Sequence, residues 1–127
     1  MKKWLRTICE ILEHPRHKQV YGRLIIFRSL KSRKIEGKCV LGEIGCQLGF
    51  TPNELFNMNT LDYIKILRKA QVPKWLLEGL NLPHFSMGFH EWYGWGDNLD
   101  SWLYELNDNH LTYEEISDFL KTTFEDA

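Results

Sequence analysis

The stretch GKCVLGEIGCQLG, residues 37–49, decides how this chain is built. From Cys39 to Gly49 it sets two cysteines and three glycines among eleven residues. Advanced at about 100° per residue, Cys39, Gly42, Gly45, Cys46 and Gly49 gather on one side of a helix. Leu41, Ile44 and Leu48 gather on another, which leaves only Glu43 and Gln47 for a polar strip. Each interior glycine costs about 1 kcal/mol relative to alanine, so close packing must offset it. A seam of small residues beside a large apolar one suits a helix at the centre of a fold. The spacing predicts a buried helix over 38–49.

The cysteines carry limited chemistry at this spacing. Seven residues apart on an intact helix, Cys39 and Cys46 stand about 10.5 Å apart along the axis. A single zinc holds thiolates at about 2.3 Å, so it cannot take both, and a disulfide across that span is equally excluded. No metal site is expected. Cys39 follows Gly37-Lys38 at the predicted helix start, where the dipole and Lys38 would favour a thiolate. With His84, His90 or His110 as base it would make a cysteine-dependent hydrolase. The competing reading, which the spacing favours, is a small buried hydrophobe at both cysteines.

Outward from this helix the chain reads as mainly helical. Trp4, Leu5, Ile8, Ile11 and Leu12 make one face of a helix over about 2–13, ended by His14-Pro15. Residues 19–30, QVYGRLIIFRSL, are rich in β-branched and aromatic residues and read as a strand, with 29–37 as a turn or return strand. Thr51-Pro52 starts a helix, and Asn59 or Thr60 caps another whose inner face is Leu61, Ile64, Leu67 and Tyr63. Pro73 opens a short helix ending near Gly79. Leu99, Trp102, Leu103 and Leu106 fall at helical spacing. Asn107-Asp108 reads as a turn whose side chains bond the backbone. Thr112 with Glu115 forms a capping box that opens a last helix. The expected fold is mainly α with a small β-hairpin (α+β), one compact domain over 1–127 around the Cys/Gly-rich helix.

Charge is unevenly spread. Eleven of the sixteen Lys and Arg lie in the first 38 residues, with only three of the seventeen acids. The basic segment 15–38 makes Arg23, Arg28, Lys31, Arg33 and Lys34 candidate grips for a phosphate-bearing ligand, with Arg16 beside them. The competing reading is a sheet edge protected by cations. A second candidate surface is the glycine-rich stretch 81–98, whose Trp92, Tyr93 and Trp95 could grip a protein partner. No phosphate loop, dinucleotide fingerprint or metal motif is present, so no cofactor is expected. No apolar run reaches the roughly 20 residues of a membrane span. Three cysteines without framework spacing point to a reducing, cytoplasmic setting.

Several of these residues also carry a resemblance. HKQVYGRL (17–24), GKCVLGEIGCQLG (37–49) and LNDNHLTYEEISDFL (106–120) resemble, in order, a group of small phage-borne proteins. Their pattern is Lys-Gln-x-x-Gly-x-Leu, then Cys-x-Leu-Gly-x-x-x-Cys, then Leu-Asn-Asp followed by Ser/Thr-Phe-x-x-Ile-Ala. Lys18, Gln19, Gly22, Leu24, Cys39, Leu41, Gly42, Cys46, Leu106, Asn107, Asp108, Thr112 and Ile116 match it. Cys39-Val40 stands where the family often has two adjacent cysteines. The resemblance implies a phage or mobile-element origin, an infected bacterial cytoplasm as the setting, and no particular chemistry. The resulting expectation is a non-enzymatic accessory protein that binds a host or defence component (protein, nucleotide or nucleic acid), with counter-defence as one role. A Cys39 hydrolase and a structural protein of the particle are the alternatives.

Overall fold

A computed structural model describes residues 1–29, 31, 34–77, 85–86, 91–92 and 99–125. It is mainly helical, with an antiparallel two-stranded hairpin set against the helices. Helix α1 (Lys3–Glu13) buries Trp4, Leu5, Ile8, Cys9, Ile11 and Leu12 along one stripe. It lies along α7 (Tyr113–Phe124), where Trp4 meets Phe124 edge-on at 5.6 Å. Pro15 ends α1 by forcing His14 out of the helical region.

Helix α2 (Val40–Gln47) is the centre of the molecule. Its residues 40–45 are all buried, and it touches α1, α3 (Pro52–Asn57), α4 (Tyr63–Lys69) and α6 (Leu99–Asp108). The glycine seam does what its spacing predicts. A Cβ on Gly42 would collide with the carbonyl of Leu24, and one on Gly45 would come within 2.9 Å of Leu55 Cδ2. The helix is shorter than the expected 38–49, because Gly37 and Lys38 belong to a strand and Gly49 turns the chain at φ +106°. The expected polar strip also fails at Glu43, which is fully buried, and Leu48 is only half-buried.

The expected strand over 19–30 contracts to β1 (Ile25–Ser29), paired with β2 (Lys34–Lys38) through Ile25↔Lys38 and Phe27↔Ile35. Residues 18–20 go instead to the far side of β2. The Lys38 N–H donates to the Lys18 carbonyl at 2.8 Å, and the Val20 N–H donates to the Lys38 carbonyl at 2.9 Å. Gly22 (φ +80°) bends the chain between the two placements. Phe27 of the hairpin meets Phe56 of α3 at 5.2 Å.

Thr112 forms the capping box expected of it, and Thr51, expected only to start a helix ahead of Pro52, forms one as well with Glu54. Leu61 corrects the inner-face reading: it is 85 % exposed, while Leu67 is buried. Leu61 sits in a 3-10 turn (Thr60–Asp62) ahead of α4, and three residues per turn put it out of phase with the α-helical face. Residues Lys74–Leu77 form the short α5 after Pro73. The pair β3 (Phe85–Ser86) and β4 (Glu91–Trp92) is a minimal hairpin with Phe85 opposite Trp92. Trp102 of α6, fully buried, packs edge-on against Phe124 at 5.4 Å. Among the described residues no helix is long and apolar enough to cross a membrane.

Candidate functional site

The loop 19–24, the start of α2 and the end of α6 converge on one side chain, Asn107. It is not in a turn, as its neighbours in sequence suggest, but in the last turn of α6 and fully buried. Its Oδ1 accepts from Gln19 Nε2 at 2.8 Å and from the Val40 N–H at 2.9 Å, and its Nδ2 donates to the Val20 carbonyl at 2.9 Å. Gln19 reaches on to α7, donating to the Leu111 carbonyl and accepting from the Tyr113 N–H. The Gly22 N–H donates to Asp108 Oδ1 at 2.9 Å, and the Cys39 N–H to the Leu24 carbonyl at 3.1 Å. Gln19, Gly22, Leu24, Cys39, Asn107 and Asp108, all among the residues that carry the resemblance, thus meet in one place.

Beside this cluster lie two adjoining hollows. The first, about 120 Å³, is lined by Arg23, Cys39, Thr60, Tyr63, Tyr104 and Asp108. The second, about 100 Å³, shares Gly22, Arg23 and Tyr63 with it and is also lined by Leu24, Ile25, Leu55, Phe56 and Met58. Tyr63 and Tyr104 stand edge to face at 6.1 Å. Burial raises the Tyr63 phenol above its ordinary range, so it stays a neutral hydroxyl. A wider cleft of about 480 Å³ opens between the end of α1 and the start of α7, rimmed by Glu13, Glu114 and Asp118. Lys121 already takes the Glu13 carboxylate there.

Cys39 caps α2 with its backbone, and the residue is only 4 % exposed. Burial pushes its thiol up to about 11, against the nearby Gly42 and Leu41 backbone N–H groups, which pull it down. Desolvation therefore wins over the helix start, and the thiolate a nucleophile requires is disfavoured. His84 and His90 lie outside the described residues. His110 (φ +67°) is exposed and lies against the Tyr21 ring, tilted by 53° with centroids 4.2 Å apart. Among the described residues no group of three or more metal-binding side chains is gathered.

Of the basic candidates, Arg23, Arg28, Lys31 and Lys34 are all exposed, as are Arg16 and Lys18. Arg28 pairs with Glu36 across the hairpin at 3.1 Å. Arg33, Tyr93 and Trp95 lie outside the described residues, and Trp92 is described only as part of β4.

One cluster escapes any reading of the sequence. Lys38 and Glu43, both fully buried, flank the half-buried His17. Lys38 Nζ is 3.1 Å and Glu43 Oε2 3.3 Å from the same ring nitrogen, His17 Nδ1. That nitrogen has one in-plane position, so it accepts from Lys38 or donates to Glu43, but not both. Glu43 Oε1 is served separately by the Arg16 N–H at 2.5 Å and by Gln47 Nε2 at 3.0 Å. The Lys38 carbonyl also accepts from the Tyr113 hydroxyl at 2.5 Å, and burial drives that phenol well above its ordinary range. These groups come from four separate segments, and no local spacing marks them. In comparisons with known proteins, no family model, curated protein or solved structure matches this chain.

Proposed function

We propose that this protein acts by binding, through the basic face of residues 15–38, and that its partner presents phosphate: a nucleotide or nucleic acid belonging to a bacterial host or its defences. The observation that carries this reading is the exposure of Arg16, Lys18, Arg23, Arg28, Lys31 and Lys34 within one stretch. Glu36 is the only acid between residues 14 and 42. Arginine forks match phosphate geometry, and clustered cations raise the local concentration of an anionic partner. The buried, protonated Cys39 thiol favours binding over a cysteine hydrolase. The phage-like pattern of Gln19, Gly22, Cys39 and Asn107 supports an accessory role during infection, counter-defence included.

The test is replacement of Lys31, Arg33 and Lys34 together by Glu, read by anisotropy of labelled oligonucleotides and nucleotides across a salt series. Binding should weaken, and the slope of log K against log salt should fall by about 1 for each phosphate that is no longer neutralised. Equal affinity and equal slope in the variant would leave the hairpin as a charge-protected sheet edge.

A further inference from the structure

We infer that the phosphate-bearing partner is single-stranded nucleic acid, whose bases stack on two aromatic pairs set along the basic segment. This rests on the phosphate reading above and adds what the cations alone do not supply, a surface for base faces. The first pair is Tyr21 and His110, both exposed, with ring centroids 4.2 Å apart. The second is Phe27 and Phe56 at 5.2 Å, with Phe56 exposed and Phe27 half-buried. Arg23 stands between them. It lines one hollow with Asp108, close before His110 in the chain, and the adjoining hollow with Phe56. Lys18 and Arg28, also exposed, flank the two pairs in sequence.

The rings are held in place before any strand arrives. Just past α6, the His110 and Leu111 N–H groups donate back to the Asn107 and Leu106 carbonyls. The residue that turns the chain in such a helix end is usually glycine or asparagine, because it takes the left-handed conformation. His110 takes it at φ +67°, and so puts ring area beside Tyr21. Tyr21 is pinned on both sides, by the Val20 N–H on the Lys38 carbonyl and by the Gly22 N–H on Asp108 Oδ1. Phe56 lies on α3, whose start is fixed by the Thr51 capping box. Preset rings lose little freedom on binding, and stacking of bases on them tolerates any sequence. The Asp108 carboxylate repels phosphate, so the sugar–phosphate chain runs past Arg23 and Lys18 with its bases turned to the rings. The Arg28–Glu36 pair is exposed, and an exposed pair is weak enough for phosphate to compete for its arginine. A duplex keeps its base faces stacked inside and can use neither pair. A mononucleotide reaches only one.

The experiment is fluorescence anisotropy of the full chain with a labelled single strand of about ten nucleotides, the same sequence as a duplex, and AMP as unlabelled competitor. The single strand should bind about tenfold or more tighter than the duplex, and AMP should displace it only at far higher concentration. Tyr21→Ala and Phe56→Leu should each weaken the single strand about fivefold or more, with the salt slope and the circular dichroism spectrum unchanged. Tyr21→Phe keeps the ring and should bind as the parent does, which separates stacking from any loss of fold. A duplex bound as tightly as the single strand would overturn the inference. So would folded Tyr21→Ala and Phe56→Leu proteins with unaltered affinity, or AMP binding as tightly as the strand. Where those outcomes accompany binding that still weakens with salt and with replacement of Lys31, Arg33 and Lys34, the phosphate reading stands and the stacking one falls. No binding of either nucleic acid would sink the stacking inference together with the nucleic-acid reading beneath it.

Discussion

Val40 and Asn107, 67 positions apart, are joined by a hydrogen bond in which the first N–H of α2 donates to a side-chain oxygen at the end of α6. Helix starts leave N–H groups unsatisfied, and a Ser, Thr, Asp or Asn at the cap position usually serves one of them. Here the cap is Cys39, whose side chain makes no such bond. Asn107 supplies the missing acceptor from another helix, and the same amide holds the loop at Gln19 and Val20. The central helix and the basic segment are therefore fixed by one residue.

Asn107→Ala should accordingly destabilise the protein by about 3 kcal/mol, since it strands several buried backbone and side-chain partners together. Asn107→Asp keeps the acceptor but turns a second oxygen toward the Val20 carbonyl, and should cost on the order of 2 kcal/mol. Urea unfolding midpoints of the two variants measure this. An unchanged midpoint for Asn107→Ala would show that water replaces the amide without loss.

The glycine seam should be graded. Gly42→Ala drives a methyl group into the Leu24 backbone carbonyl, which cannot move aside alone, and should cost about 3 kcal/mol. Gly45→Ala meets only the ends of Leu55 and Ile66, and should cost about 1 kcal/mol or less. Gly45→Leu overfills the same contact and should cost about 1–3 kcal/mol. Thermal melts of the three proteins test the order, and Gly45→Ala proving the worst would refute it.

Cys39 gives a stability that depends on alkaline pH. Its thiol is raised from 9.0 in the unfolded chain to about 11 in the folded protein. The contribution is therefore complete below pH 9 and is lost as pH rises toward 11, because only the unfolded chain releases the proton in that window. The loss should be on the order of 2 kcal/mol by the upper end. Cys39→Ala should remove this part of the alkaline slope when denaturant midpoints are measured at pH 8 and 10.5. Native Cys39 should also react with iodoacetamide far more slowly than the unfolded thiol, and rapid native alkylation would revive the hydrolase reading.

Leu61 and Leu67 make a paired test of the α4 phase. Leu61→Ser should leave stability within about 0.5 kcal/mol, since its side chain is solvent-facing. Leu67→Ala should cost about 2–5 kcal/mol, as expected of a fully buried leucine. Chemical denaturation of both variants decides it, and a large loss at Leu61 would mean that the exposed leucine is covered in solution.

What the sequence determined by itself was local and periodic. Helical spacing in α1, α6 and α7, the helix start at Thr51-Pro52, the Thr112 capping box and the close-packed seam of α2 were all legible, because each depends on residues within a few positions of one another. The phase of Leu61 was not legible, since a 3-10 turn and an α-helix share the same apolar pattern but rotate it differently. Nor was the burial of Lys38 and Glu43. Two charged residues in a strand and a helix read as solvent-facing until Arg16 and His17 are brought against them from another segment. Asn107 makes the same point from the opposite side: its sequence neighbours suggest a turn, and only the packing of α6 against α2 turns it into the cap of a distant helix. Polar partners far apart in the chain leave no periodic trace, because the energy of burying them is settled by whichever groups the fold delivers to the same place.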